Sequence, residues 1–156
     1  MHAERDTADE RGTEYVTVTI GGQLFGLPIA RVQDVFMPER LTRVPLAPGE
    51  IAGVLNLRGR IVTAIDMRRR LGLPPLTDAR PAMAVGIECN GESYGLLIDG
   101  VGEVMKLADA SREPNPVNLD ARWAGVSGGV HRLEGQLMVI LDVDRVLDMA
   151  NAAMAA

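Results

Sequence analysis

Aromatic side chains are scarce in this chain. Phe, Trp and Tyr together make up 3% of the residues, and the formal net charge is −5. Proteins that bind single-stranded nucleic acid stack the bases on aromatic rings and neutralise the phosphates with Lys and Arg. Because both features are poorly supplied, the composition disfavours a nucleic-acid partner. The hydrophobic core must be built from aliphatic residues instead.

Cysteine and histidine are equally scarce, which limits the catalytic chemistry that the chain can support. The one cysteine, Cys89, cannot form an internal disulfide and lies in an apolar run, which indicates a buried thiol in a reducing compartment. A cysteine nucleophile needs a nearby base, and His2 and His131 are the only histidines. We expect no catalytic, metal or cofactor site, and a small enzyme that uses Cys89 or His131 is the alternative to test.

Long apolar runs are also missing. No run approaches the ~18 residues that a membrane-spanning helix needs, and the first residues lack the apolar segment of a secretory signal. These features predict a cytoplasmic protein. With 156 residues, of which 47% are hydrophobic, the chain is long enough for one domain or for two small subdomains that share a core.

Short strands separated by glycine and proline turns dominate the pattern that is present. Residues 15–20 alternate β-branched side chains, and Gly21-Gly22 predicts a turn into a second strand that Pro28 interrupts. Residues 30–36 predict a helical turn that runs into a strand. Residues 1–14 carry no apolar periodicity and predict a disordered lead-in.

The stretch from Ile51 to Gly72 reads as strand, turn, strand and short helix. Arg58-Gly59 provides the turn, and Asp66 stands where the N-cap of the helix is expected. Asn56 and Arg58 are polar residues beside an apolar strand end. Either Asn56 binds its own turn and Arg58 is a solvated tip, or the arginine is displayed for a partner's carboxylate or carbonyl.

Three consecutive arginines, Arg68, Arg69 and Arg70, add to Arg58 and Arg60 to form a local basic patch on an acidic protein. A solvated helix face accounts for such a patch, and a docking site for an acidic protein surface is the alternative.

The sequence repeats itself. Adding 69 to positions in the first half, and further along 76, brings similar residues into register. The matches at 69 pair Gly22 with Gly91, Phe25 with Tyr94, Gly26 with Gly95, Leu27 with Leu96, Ile29 with Ile98, Val32 with Val101, and Val35 with Val104. Those at 76 pair Gly59 with Gly135, Ile61 with Leu137, Ile65 with Leu141, Asp66 with Asp142, and Leu71 with Leu147. The repeat predicts an all-β protein of two small barrels with short helices, about 15–75 and about 82–147, followed by a tail at 148–156.

These motifs resemble the CheW family, the adaptor proteins of bacterial chemotaxis arrays, and the resemblance covers Tyr15 to Leu147. Its strongest part is Ile-Ala-Gly-Val-Leu-Asn-Leu-Arg-Gly at 51–59, followed by Asp66-Met67-Arg68. Supporting parts are Phe-Gly-Leu-Pro-Ile at 25–29, Val-Gln-Asp-Val at 32–35, Val-Pro-Leu-Ala-Pro at 44–48, Gly-Leu-Leu-Ile-Asp at 95–99 and Ile-Leu-Asp at 140–142.

The resemblance implies a fold of two five-stranded SH3-like β-barrels and a function without catalysis. Such an adaptor links the cytoplasmic tip of chemoreceptors to the regulatory domain of a CheA-type histidine kinase, and it is recruited from the cytoplasm to membrane receptor arrays. It needs no cofactor, binds no nucleic acid and does not insert into the membrane. An adaptor of a pilus-motility or other chemosensory pathway is one alternative, and a small-barrel nucleic-acid-binding protein is another.

The resemblance also assigns binding residues, near the groove between the barrels. The receptor-binding residues are Val32, Asp34, Asn56 and Arg58, and the kinase-binding residues are Leu41, Val44, Pro45 and Leu46. Arg58 is expected to be held by Asp34. The family commonly has the longer Glu at that position, so the pairing depends on whether the shorter side chain reaches.

Overall fold

The computed structural model describes residues 11–75 and 83–148. The strands are β1 (Gly12–Ile20), β2 (Gln23–Pro28), β3 (Val32–Phe36), β4 (Ile51–Leu57), β5 (Arg60–Asp66), β6 (Met83–Cys89), β7 (Glu92–Ile98), β8 (Gly100–Ala108), β9 (Ser127–Leu133) and β10 (Gln136–Leu141). The helices are α1 (Met67–Arg70), α2 (Ala121–Ala124) and α3 (Val143–Val146), and short 3-10 turns lie at Ile29–Arg31 and Asp109–Ser111. No helix in these ranges is long and apolar enough to cross a membrane.

The predicted hairpins are present, and the helical turn before β3 is as expected. The first strand starts earlier than predicted, at Gly12, because residues 12–14 pair with residues 106–108 of β8. The predicted lead-in 1–14 is therefore too long. Residues 1–10, and 149–156 of the predicted tail, lie outside the described residues.

Two five-stranded sheets form the fold, and each takes strands from both halves of the sequence. The first sheet has the order β8-β1-β2-β10-β9, and the second has the order β3-β6-β7-β5-β4. The sequence predicted barrels at about 15–75 and about 82–147 and left the exchange of strands between them open; the sheet orders show that exchange. Each half contributes its opening hairpin to one sheet and its last three strands to the other, so the halves are interlocked.

The exchange follows the internal repeat. Replacing each of β1 to β5 by its counterpart among β6 to β10, and the reverse, turns the order of the first sheet into that of the second. Both sheets are closed in the same way, since Thr42 after β3 bridges to Val54 on β4, and Glu113 after β8 bridges to Val130 on β9. The two halves are thus related by a pseudo-twofold that includes the strand exchange.

The core has three parts that match this symmetry. A small cluster around Phe36, Leu55 and Val62 fills the interior of the barrel that the second sheet forms. Another cluster, around Tyr15 and Met138, fills the interior of the barrel that the first sheet forms. The largest cluster combines apolar residues of both sheets, which are mostly aliphatic, and joins the two barrels. Burial of this shared cluster supplies much of the favourable free energy of folding, because neither barrel is large enough to bury a substantial core alone.

Glycine is required inside each barrel at positions related by the repeat. A Cβ on Gly95 would lie 3.2 Å from Phe36 Cζ and 3.3 Å from Val62 Cγ1, and one on Gly26 would lie 2.6 Å from Met138 Cε. The repeat match between Gly26 and Gly95 therefore has a packing cause.

Candidate functional site

The β4–β5 hairpin displays Arg58 at its tip in a fixed geometry. Arg58 and Gly59 have φ angles of +53° and +85°, which a two-residue turn of type I′ requires. The side chain of Asn56 stabilises the turn, because its Oδ1 accepts a hydrogen bond of 2.9 Å from Gly59 N. Asn56 therefore binds its own turn backbone, as one of the two alternatives predicted.

Arg58 is held by the carboxylate that was expected to hold it. Arg58 Nη1 lies 2.7 Å from Asp34 Oδ2, and Asp34 Oδ1 also accepts a hydrogen bond of 2.8 Å from Val35 N. Asp34 lies on β3 and Arg58 follows β4, the two outer strands of the second sheet. The shorter Asp reaches because closure of the barrel brings these edges together. The arginine side chain remains 73% exposed, against 27% for Asp34.

A cavity of about 380 Å³ opens beside this ion pair. Its polar rim includes Arg58, Arg60 and Asp34, and its apolar wall includes Phe36 and Tyr94. All of its lining residues belong to the second sheet or to the turns of that sheet. The cavity is therefore lined by one barrel, and two of its lining residues, Ile87 and Tyr94, also belong to the core cluster that joins the two barrels.

Val32 differs from the other predicted receptor-binding residues. It pairs with Ile87 on β6, is half-buried and packs against the core shared by the two barrels. It does not line the cavity beside Arg58. The structure thus brings Asp34 and Arg58 together, whereas Asn56 lines a separate cavity and Val32 lies elsewhere on β3.

The residues predicted to contact the kinase lie on the long loop from β3 to β4. Leu41 is half-buried and packs against the core of the second sheet. Val44 and Pro45 lead into a tight turn, where Ala47 N donates to Val44 O at 3.3 Å. Leu46 in that turn is fully exposed at a φ of +65°. A leucine in the left-handed region is unusual because its Cβ is crowded there, and no burial of the side chain compensates for this.

A second cavity, of about 390 Å³, lies under this loop and includes Arg43 and Arg69. It is separate from the Arg58 cavity, because Asp66 and the start of β4 line it instead. The loop and the hairpin tip therefore offer two distinct surfaces of the same barrel.

Two exposed apolar residues in or next to the second sheet were not identified from the sequence. Met37, which follows β3, and Ile61, which pairs with Asn56 across the hairpin, are both largely exposed. Ile61 and Asn56 line a cavity that is separate from the one beside Arg58. Ile61 stands in a continuous apolar run, so its pattern is that of a core residue and no local signal identifies it.

Arg68 and Arg70, which belong to the predicted basic patch of five arginines, make hydrogen bonds within the fold. Arg68 donates to both carboxylate oxygens of Asp99, at 3.0 and 2.7 Å, and Arg70 donates to the backbone carbonyls of Arg145 and Val146. The Asp99 hydrogen bond raises the pKa of Arg68, and the same bond lowers the pKa of Asp99. Of the three consecutive arginines, only Arg69 is an exposed residue.

The residues of the alternative enzyme hypothesis lie in separate parts of the fold. The described ranges contain no group of three or more His, Cys, Asp or Glu residues that could hold a metal ion. Cys89 is buried on β6 of the second sheet, and His131 is buried on β9 of the first sheet. The two residues of the alternative enzyme hypothesis therefore belong to different barrels.

The two interlocked barrels thus display an exposed arginine, Arg58, and a fully exposed leucine, Leu46, on separate surfaces. The chain belongs to the family defined by the CheW-like domain, whose model matches residues 14–151.

Named relatives agree with this membership. The chain is 25% identical over 143 residues to the chemotaxis protein CheW of Klebsiella aerogenes, covering 92% of this chain and 86% of the relative. It is 24% identical to that of Bacillus subtilis, covering 92% of each. The crystal structure of the scaffolding protein TtCheW from Thermoanaerobacter tengcongensis superposes with a TM-score of 0.74 at 27% identity, covering 83% of this chain and 88% of that one.

Proposed function

We propose that this CheW-like protein, a chemotaxis adaptor, joins the cytoplasmic tip of chemoreceptors to the regulatory domain of a CheA-type histidine kinase. It acts by binding alone and performs no catalysis. The observation that carries the proposal is the fixed display of Arg58, whose guanidinium is largely exposed although Asp34 holds it. The family membership and the scaffolding role named for the solved relative support it.

The receptor contact is assigned to the cavity beside Asp34 and Arg58. One nitrogen of the guanidinium is engaged by Asp34, and the rest of the planar group can donate to a carboxylate or carbonyl of the partner. Phe36 and Leu57, which line the cavity with Arg58, provide apolar area beside it. A helical receptor tip that offers an acidic residue next to apolar ones fits this surface. Val32 and Asn56 support the site by packing and by holding the turn.

The kinase contact is assigned to the loop that carries Leu41, Val44, Pro45 and Leu46. Within it, Leu46 is the residue that a partner would bury, since Leu41 already packs on the core. Because this loop and the hairpin tip are separate surfaces, one molecule can hold both partners. Tethering raises the effective concentration of each partner for the other. The adaptor works in the cytoplasm and is brought to receptor arrays by these contacts.

Binding of a purified receptor-tip fragment tests the role of Arg58. We expect Arg58→Ala to weaken the affinity about tenfold to a hundredfold, because a hydrogen bond to a charged group contributes about 1.5–3 kcal/mol. The matched control is Arg132→Ala, which removes an ion-paired arginine of similar exposure from the other sheet. Equal affinities for wild type and Arg58→Ala, with unchanged melting curves, would contradict the assignment.

The loop is tested in the same way with the kinase regulatory domain. Leu46→Ser should weaken this binding about tenfold, since burial of a leucine side chain contributes about 1.5–3 kcal/mol. Val117→Ser is the control, because Val117 is equally exposed on the long connection of the other barrel. A loss of affinity that is the same for both variants would argue against a specific role for Leu46.

A further inference from the structure

His131 occupies an apolar position in the interior of the first barrel. It lies on β9 opposite Met138 of β10, with 2% of its surface exposed. Its ring meets that of Tyr15 edge-on, with 5.7 Å between centroids. Its Nε2 has no hydrogen-bond partner within the described residues. Leaving a buried polar nitrogen unsatisfied costs stability, so this residue calls for an explanation other than hydrogen bonding.

The pseudo-twofold shows that packing does not require a histidine there. Leu55 lies opposite Val62 on β4 and β5, as His131 lies opposite Met138 on β9 and β10. Leu55 is 4% exposed and belongs to the core of the second sheet. The same place in the fold is thus filled by an aliphatic side chain in one barrel and by a titratable one in the other.

The surroundings of the imidazole favour its neutral form. Burial lowers the pKa of His131 from its ordinary value, and Arg112 lowers it further, while Asp109 and Glu113 oppose this. These three charged residues lie on the segment after β8, and Glu113 is already paired with Arg132 at 3.0 Å. From β1 the facing titratable group is the phenol of Tyr15, and β10 presents Met138. An imidazolium would therefore be buried without an acceptor at Nε2.

We propose that His131 is a pH-sensitive element that loosens the first barrel in mildly acidic medium, whereas the second barrel, with Leu55 at the same place, stays closed. This inference does not depend on the proposed partners. The unfolded imidazole titrates near 6.5 and the folded one at a lower pH. Stability is therefore complete above 6.5 and decreases as the pH falls towards the folded pKa. Within that window the folded-to-unfolded ratio falls about tenfold for each pH unit.

Urea unfolding of the full chain at about pH 7.5 and about pH 5 tests the proposal, since carboxylates remain largely ionised over this range. The wild type should lose stability on acidification, and His131→Leu should lose much less. Leu55→His places the histidine in the other barrel and should add a second acid-sensitive transition. Equal acid sensitivity of the wild type and His131→Leu would overturn the proposal.

Two measurements that leave His131 and Leu55 unchanged test the proposal even if the core variants fail to fold. The chain has two histidines, so His2→Gln assigns the imidazole signals in an NMR titration. The signal of His131 should titrate below that of His2, and amide protection at acidic pH should fall in β9 and β10 while it persists in β4 and β5. A His131 pKa at or above that of His2, or an equal loss of protection in both sheets, would contradict the inference.

Discussion

The ion pair between Arg68 and Asp99 offers the sharpest stability prediction. Both side chains are about one-fifth exposed, and Asp99 accepts three hydrogen bonds: two from Arg68, at 3.0 and 2.7 Å, and one from Gly21 N at 2.8 Å. The pair connects α1 to the end of β7 and to the β1–β2 turn, so it links the two sheets. Asp99→Ala would remove two of the hydrogen bonds that Arg68 donates and keep the one from its Nη1 to Pro74 O, at 2.7 Å.

The magnitude follows from this geometry. Removing one partner of a buried pair costs about 3–5 kcal/mol, and partial exposure places this case at the lower end, about 3 kcal/mol. For a chain of this length each kcal/mol corresponds to about 2–4 °C, so the melting temperature should fall by about 6–12 °C. Asp144→Ala is the control, because its pair with Arg31 is more exposed and should contribute less than about 1 kcal/mol.

The same ion pair makes the stability of the fold depend on pH in the acidic range. The hydrogen bond from Arg68 holds the pKa of Asp99 below its ordinary 3.8, and the Gly21 amide lowers it further. Because the folded pKa is the lower one, the contribution is present above about pH 4 and is lost as the pH falls through the folded value. Calorimetry of the wild type and Asp99→Ala between about pH 3 and about pH 6 measures it. The reasoning is refuted if Asp99→Ala has the melting temperature of the wild type. It is also refuted if Asp99→Ala and the control Asp144→Ala lower the melting temperature equally.

Three further predictions concern packing and local structure. Gly95→Ala should destabilise by about 1–3 kcal/mol through its contact with the barrel interior, whereas Gly128→Ala, where a Cβ meets only ordinary contacts, should be close to neutral in urea unfolding. Trp123→Phe should lower the free energy of unfolding by about 1 kcal/mol, because it removes the 3.0 Å hydrogen bond from Nε1 to Leu71 O. Thermal unfolding measures this loss, and an unchanged melting temperature would contradict it. Asp66→Ala should cost about 1 kcal/mol, since it removes the cap of α1, and unchanged stability would show that the cap is dispensable.

Much of the local structure could be predicted because its causes are local. The glycine turns fixed the hairpins, and Asp66 caps α1 by accepting from Arg69 N as its position indicated. The pairing of the strands could not be predicted in the same way. A repeat shows which segments are alike, but it does not show whether a strand pairs within its own half or with the other half. That choice depends on burial of the shared core, which is a property of the whole chain.

The site shows the same division. Arg58 and Gly59 predict a hairpin turn with the arginine at its tip, and the family resemblance identified Asp34 as the partner of Arg58. The sequence did not reveal that the shorter Asp reaches, because the distance is determined by closure of the barrel. It also did not reveal that Leu46 is fully exposed while Leu41 packs on the core, since both are apolar residues in one proline-rich loop. Exposure of apolar residues depends on the loop path, which local pattern does not encode.

Simultaneous holding of two partners is the central claim, and a bridging measurement tests it most directly. A receptor-tip fragment is immobilised, and the kinase regulatory domain is passed over it with and without this protein. We expect the kinase domain to be retained only when the wild-type chain is present, with Arg58→Ala losing retention at the receptor and Leu46→Ser losing it at the kinase. Displacement of the chain from the receptor by the kinase domain, or no retention of either partner by a folded chain, would contradict the claim.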